Sequence, residues 1–297
     1  MIGLTTEGKI IKSLSGFYYV LSDDIVYQCR ARGLFRKQKI TPLVGDLVTF
    51  EASNETDGYV IHVHPRKNEL VRPPIANVEQ ALVVFSVKEP DLNLQLLDKF
   101  LLHIEANEID AIICFTKMDL LTSIEREQIE KVANIYQSIG YPVLFLSTQE
   151  QTDFTEIKSL LKEKITVVAG QSGVGKSSLL NTIDPSLQLA TTQISTHLGR
   201  GKHTTRHVEL LPIAGGLVAD TPGFSSLDLS LFNEEDLSSY FPEMRRIQGD
   251  CKFRGCTHIR EPQCAVKMAL DAGKIEQSRY DHYEQFFHEV KETKRRY

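Results

Sequence analysis

Apolar and polar positions alternate in short bursts through the first seventy residues. Gly8-Lys9-Ile10-Ile11, Gly16-Phe17-Tyr18-Tyr19-Val20-Leu21, Ile25-Val26-Tyr27-Gln28-Cys29-Arg30, Asp46-Leu47-Val48-Thr49-Phe50 and Gly58-Tyr59-Val60-Ile61-His62-Val63 recur at intervals of roughly ten residues, with turn residues between them. The pattern predicts five strands closing into a small β-barrel of the OB-fold kind. Residues 65–74 then carry Pro65, Pro73 and Pro74 and no periodicity, which places a domain linker there. From Val78 onward the period changes. Apolar runs at 80–85, 110–115, 142–146 and 165–169 read as buried strands, and helical spacing covers 94–106, 123–138 and 153–161. Strands alternating with helices predict an α/β unit with a doubly wound, largely parallel sheet. At the far end, Tyr280, Tyr283, Phe286, Phe287 and Val290 fall at helical spacing within 275–295, so a packed helix is expected.

The strand at 165–169 runs into Gly170-Gln171-Ser172-Gly173-Val174-Gly175-Lys176-Ser177, followed by Ser178-Leu179-Leu180-Asn181. A glycine-rich turn between a strand and a helix aims backbone amides and a helix N-terminus at phosphates. Lys176 is placed to reach the β- and γ-phosphates and Ser177 to hold Mg²⁺.

The base is decided upstream. Thr116-Lys117-Met118-Asp119 lies at the C-terminal edge of the 110–115 strand, where ligands bind in parallel sheets. A carboxylate at Asp119 accepts from the N1 and N2 donors of guanine, a pair that adenine lacks, and Lys117 can lay its stem over the ring. Ser147 and Thr148, after the 142–146 strand, suit the guanine edge. Downstream, Asp220-Thr221-Pro222-Gly223 offers a carboxylate for the magnesium shell and the Gly223 amide as a sensor of the γ-phosphate. Between them, Gly199-Arg200-Gly201-Lys202-His203-Thr204-Thr205-Arg206 reads as a mobile switch, with Thr204 or Thr205 as a magnesium ligand. Phe224 stands where many GTPases place a water-orienting glutamine, so slow intrinsic turnover is expected. His203 is the candidate replacement, with Arg200, Lys202 and Arg206 as charge stabilisers.

Charge changes the picture only locally. The net charge of -5 carries no nucleic-acid signature, but Arg30, Arg32, Arg36, Lys37 and Lys39 follow one another without an acid, and Lys291, Lys294, Arg295 and Arg296 crowd the C-terminal end. With Tyr18, Tyr19, Phe35 and Tyr59, the first run favours the barrel as an RNA surface, the alternative being core aromatics beside a solvated basic loop. No apolar stretch is long enough to span a membrane, and a cytoplasmic protein is expected. Three of the five cysteines lie together in Cys251-x4-Cys256-x-His258-x5-Cys264. In a reducing compartment, three thiolates and an imidazole form a closed tetrahedral set, so one structural Zn²⁺ is expected, with free buried thiols as the alternative. Cys29 and Cys114 read as core residues.

Guanine motif before phosphate loop is a reordered GTPase. With a barrel ahead and the cysteine cluster behind, the chain resembles the circularly permuted bacterial GTPases of the ribosome small subunit-dependent GTPase A family, also called RsgA or YjeQ-like. Pro65-Arg66-Lys67-Asn68 and Gly199-Arg200-Gly201-Lys202-His203-Thr204-Thr205 look like signatures of that family. The resemblance implies an OB-fold in residues 1–70, a permuted GTPase domain in 71–230 and a C-terminal, helical zinc-binding domain in 231–297. It also implies GTP/GDP with Mg²⁺, a monomer, and binding to the 30S subunit and its 16S rRNA late in maturation, with GTP hydrolysis releasing the protein. The alternative is an RNA-binding module that keeps GTP as a passive conformational ligand. Thr116 stands where many GTPases have Asn, a departure expected to loosen packing against the phosphate loop.

Overall fold

The alternating N-terminal bursts form β1 (Thr5–Leu14), β2 (Phe17–Ser22), β3 (Ile25–Ala31), β4 (Leu47–Ala52) and β5 (Asp57–Val63), joined in the order β1-β2-β3-β5-β4 and closed by β1 against β4. The computed structural model describes residues 5–33, 35, 39–54, 56–71, 73–147, 153–189, 208–220 and 227–295, except the side chains of Asp220 and Arg295. Period-two patterning puts Ile10, Val20, Cys29, Val48, Phe50 and Val60 inside the barrel, all fully buried. β1 is shared: residues 5–9 pair with β4 and residues 9–14 with β2, with a register shift between Ile10 and Lys12. Its second half therefore keeps one side that β4 does not cover.

The proline-bearing segment expected to be a plain linker is a fastened hairpin, β6 (Glu69–Val71) against β7 (Pro74–Ala76). Side chains do here what periodicity does elsewhere. Asn68 donates to the Val78 carbonyl at 2.7 Å and accepts from the Val78 amide at 2.9 Å, and Asn77 donates to the Gly45 carbonyl at 3.1 Å. Arg66 grips the fully buried Asp46 with both Nε (2.7 Å) and Nη2 (2.8 Å). Gly45, at φ 91°, lies so close to this hairpin that a Cβ would sit 2.0 Å from the Ala76 carbonyl oxygen.

The central sheet contains β8 (Gln80–Ser86), β9 (Asp110–Thr116), β10 (Val143–Phe145), β11 (Ile165–Ala169), β12 (Leu210–Ile213) and β13 (Gly216–Asp220), in the order β10-β9-β8-β11-β13-β12. All neighbours run parallel except β12 and β13. Along β8, Ala81, Val83 and Phe85 face one core while Leu82 and Val84 face the other, as a strand covered on both sides requires. The helices are α1 (Leu94–Glu105), α2 (Ser123–Ile139), α3 (Thr155–Leu161), α4 (Lys176–Ile183), α5 (Pro242–Arg245), α6 (Ala265–Asp271) and α7 (Gln277–Arg295). Helix α2 opens on a capping box of Thr122 and Glu125.

The C-terminal unit packs α5, α6 and α7 on a core of its own, which Leu102 of α1 joins. Its contact with the sheet is ionic at the centre. Fully buried Asp98 of α1 accepts from Arg279 Nη1 at 2.6 Å and from the Tyr136 hydroxyl at 2.8 Å, and it meets His282 Nδ1 at 2.5 Å. Arg279 also grips Glu243 through Nε at 2.7 Å and lies 4.7 Å from the Phe241 ring centre. Burial by itself opposes the charge on Arg279, but Asp98 and Glu243 outweigh it and leave the guanidinium firmly protonated.

His103, at the end of α1, packs edge-on against Phe232 at 4.8 Å. Burial lowers its pKa from 6.5 to about 4, with Lys99 adding to the effect and Asp228 opposing it. The unfolded chain takes up this proton below 6.5 and the folded chain only near 4, so stability present above 6.5 is lost between those values. Wild-type protein should lose about 2 kcal/mol at pH 5 that a His103→Gln variant does not lose. Denaturant melts of both proteins at pH 7 and pH 5 check this, and parallel pH dependence would refute it.

Candidate functional site

The reversal of strand order falls between β8 and β11, and the loop after β11 opens there, at the crevice where open α/β sheets bind ligands. Gly170 takes φ 141°, and a Cβ on it would lie 2.1 Å from the Val84 carbonyl oxygen, so only glycine lets the loop pass over β8. Val174 is buried and anchors the turn, and Gly175 at φ 95° caps α4, so that its first amides face outward. Lys176 folds along the same loop, donating to the Gly170 and Gln171 carbonyls at 2.8 and 2.6 Å. Ser172 is exposed, and Ser177 and Ser178 are half-buried on the first turn of α4.

Two strands away, Lys117 takes a left-handed φ of 61° and Met118 plugs into the core, which fixes the turn carrying Asp119. The Ser147 hydroxyl, beyond β10, donates to Asp119 Oδ1 at 2.6 Å. Lys117 Nζ donates to the Glu89 carbonyl in the loop after β8. Thr116 does not loosen the packing as expected. Its hydroxyl, buried at 5 % exposure, donates to the Val174 carbonyl at 2.7 Å and ties the guanine motif to the phosphate loop. A hydroxyl on a β-branched side chain spans this gap, so no amide is needed.

The cysteine cluster converges as the spacing suggested. Cys251 Sγ lies 3.9 Å from Cys264 Sγ and 3.6 Å from His258 Nδ1, which is 3.2 Å from Cys264 Sγ, and the four ligand atoms, Cys256 included, fall within 4.8 Å of one another. A tetrahedral ion with bonds of about 2.3 Å puts its sulfurs about 3.8 Å apart, so the donor set fits zinc. Burial pushes the Cys256 thiol up to about 12 and raises that of Cys264. A divalent cation held by these four residues would supply the charge that reverses this and makes thiolates of them.

A family model for the RsgA GTPase matches residues 63–230, and one for the RsgA N-terminal domain matches residues 7–60. The chain belongs to the RsgA GTPase family. Membership makes it a GTP hydrolase that binds guanine nucleotide. Among curated relatives, it is 56 % identical over 291 residues to the small ribosomal subunit biogenesis GTPase RsgA of Shouchella clausii (strain KSM-K16), covering 98 % of this chain and 99 % of that one. It is 58 % identical over 294 residues to the protein of the same name from Bacillus velezensis (strain DSM 23117 / BGSC 10A6 / LMG 26770 / FZB42), with the same coverage. Among solved structures, it is similar to YloQ, a circularly permuted GTPase, with TM-score 0.86, 50 % identity, and 97 % and 96 % of the two chains covered. It is equally similar in fold to YjeQ from Thermotoga maritima, with TM-score 0.86, 36 % identity, and 97 % and 99 % covered.

The chain brings Lys117, Asp119, Ser147 and the 170–177 loop to one edge of the sheet, and β13 delivers Asp220 to the same edge. Thr148, the switch residues Arg200, Lys202, His203, Thr204, Thr205 and Arg206, Gly223, and Phe224 lie outside the described residues, as does the side chain of Asp220. On the barrel, Phe35 is core at 5 % exposure and is removed from the stacking candidates, whereas Tyr59 stays open and Tyr18 and Tyr19 are half-buried. Arg36 and Lys37 lie outside the described residues, and Arg32 of the same run pairs with Glu51 at 2.6 Å. No described helix is long and apolar enough to cross a membrane. Sequence reasoning missed the link from Thr116 to Val174 and that from Ser147 to Asp119. The signal available was position, since both hydroxyls directly follow apolar strand runs.

Proposed function

We propose that the protein hydrolyses GTP to GDP and phosphate on the small ribosomal subunit, assists the late maturation of that particle and leaves it after hydrolysis. The observation that carries this reading is the 2.7 Å bond from Thr116 to Val174, which ties the turn carrying Asp119 to the glycine loop, as one nucleotide pocket requires. The names of its relatives, small ribosomal subunit biogenesis GTPases, support the choice of partner. In this pocket Asp119 reads guanine, Lys117 covers the ring, and Ser147 and Thr148 border the base. The amides of residues 170–175, with Lys176 and Ser178, hold the phosphates. Ser177, Thr204 or Thr205, and Asp220 would hold Mg²⁺, which would neutralise phosphate charge, and Gly223 would sense the γ-phosphate. His203 orients the attacking water, and Arg200, Lys202 and Arg206 stabilise developing charge.

We assign residues 1–70 to an OB-fold that contacts 16S rRNA, 71–230 to the GTPase unit and 231–297 to a unit built on structural Zn²⁺ held by Cys251, Cys256, His258 and Cys264. The protein works as a cytoplasmic monomer on this reading. GTP turnover measured with and without 30S subunits tests it, with 50S subunits as the specificity control and Lys176→Ala as the blank. Stimulation by 30S alone is expected, and His203→Ala should bind GTP yet lose that stimulation. Tight GTP binding without any stimulation would instead favour a passive RNA-binding module.

A further inference from the structure

Where the barrel meets the edge of the GTPase sheet, one residue pair has an unusual placement. Glu209, just ahead of β12, forms an isolated antiparallel bridge with Lys12 on the side of β1 that β4 leaves uncovered. The Lys12 ammonium lies 3.1 and 3.0 Å from the two Glu209 carboxylate oxygens. The same ammonium stands 5.9 Å from the ring centre of Tyr19, a barrel aromatic only half-buried. On the other side, β12 pairs with β13 so that Leu210 faces Ala219, and one step further along each strand come Glu209 and Asp220. Along the chain, Glu209 follows Thr205 by four residues. Lys12 thus touches the GTPase unit level with one proposed magnesium residue and a short step after another.

We propose that Lys12 and Glu209 form a clasp that couples what the barrel binds to the nucleotide held by the sheet, which makes Glu209 a positioning residue for stimulated hydrolysis. This rests on the functional reading above, in that the barrel's ligand is taken to be RNA of the small subunit. The pair is suited to the role because it is exposed, at 31 % and 44 % for its two side chains, and so is weak enough to respond to a neighbouring phosphate. Coupling between two sites is reciprocal: if RNA at the barrel acts on the nucleotide through the clasp, the nucleotide must alter RNA affinity through it by the same factor.

The test compares wild type, Lys12→Glu, Glu209→Lys and the double swap, measuring 30S affinity with GDP and with a non-hydrolysable GTP analogue. The readout is the ratio of the two affinities, which a simple loss of barrel charge leaves unchanged. Each single reversal should shrink the ratio by about threefold to fivefold, and the swap should restore it. A wild-type ratio of one, single variants that keep the ratio, or a swap that fails to restore it each overturn the clasp. If wild type does not bind 30S at all, the functional reading fails instead, and amide hydrogen exchange of residues 8–14 decides the clasp without ribosomes. Exchange that differs between GDP and the analogue in wild type and in the swap, but not in either single variant, upholds it. Exchange indifferent to nucleotide in wild type overturns it.

Discussion

Stripping metal from the Cys251, Cys256, His258 and Cys264 centre should melt the C-terminal unit while the barrel and the parallel sheet remain folded. The segment from 251 to 264 contains no helix or strand, and Lys252, Phe253, Arg254 and Gly255 within it are exposed, so its own burial contributes little. It is held instead by the donor set and by two tyrosines of α7, with Tyr280 donating to the His258 carbonyl at 2.7 Å and Tyr283 to that of Thr257 at 2.6 Å. Structural zinc supplies about 10 to 16 kcal/mol of apparent free energy, as much as the whole net stability of a typical domain, so no redistribution within the unit can replace it. Chelator treatment followed by limited proteolysis should digest 231–295 and spare the sheet. Cys264→Ser should behave the same way with no chelator present. An unaltered digestion pattern in both experiments would exclude a metal-dependent fold. The sheet should also melt several degrees earlier, because losing Arg279 and His282 leaves the Asp98 carboxylate without its cationic partners, with the Tyr136 hydroxyl still donating to it.

Replacing Asp119 by Asn is expected to weaken GTP by about 100-fold and to admit xanthine nucleotides. In the proposed site the carboxylate would present two acceptors to the two guanine donors. Ser147 donates to Oδ1 at 2.6 Å, which restrains rotation of the group. An Asn keeps one acceptor and turns an amide donor toward guanine N2, where donor meets donor. Xanthine carries a carbonyl at that position and restores the match. Competition of GTP, XTP and ATP against a fluorescent guanine nucleotide measures the change, and undiminished GTP affinity would remove Asp119 from base recognition. ATP should compete weakly with wild type and variant alike.

Much of this architecture is written in local patterns. Each barrel strand shows its pattern over six or more residues, β8, β9 and β11 show theirs over five or more, and the 165–169 strand with its glycine loop was legible to the residue. What could not be read depends on side chains distant in sequence. Arg279 and Asp98 are 181 residues apart, and nothing in the neighbourhood of either marks the other. β12 is four residues long and includes Pro212, so it carries no alternation to detect. The 65–76 hairpin has short strands held by Asn68, Asn77 and Arg66, and its prolines resemble those of a loose connection. Phe35 lies in a basic run that reads as surface, yet the fold turns it inward. In the candidate site the charged and glycine residues were visible because their chemistry is rare. Thr116 and Ser147 were named there too, but the bonds their hydroxyls make to Val174 and Asp119 were not legible, because threonine and serine at strand ends are common.

The Asp98 and Arg279 junction has a further meaning for a reordered chain. Moving the guanine motif ahead of the phosphate loop leaves the GTPase unit with two loose ends, one before β8 and one after β13. Loose ends fray, and here each is sewn down. The hairpin gripped through Arg66 and Asp46 closes the front. At the back the chain runs on until α7 returns to α1, the first helix after the cut. The barrel and the C-terminal unit, whatever else they bind, are thus the seams of the rearranged domain. A GTPase unit cut out at 71 and 230 would be a cloth with both hems open.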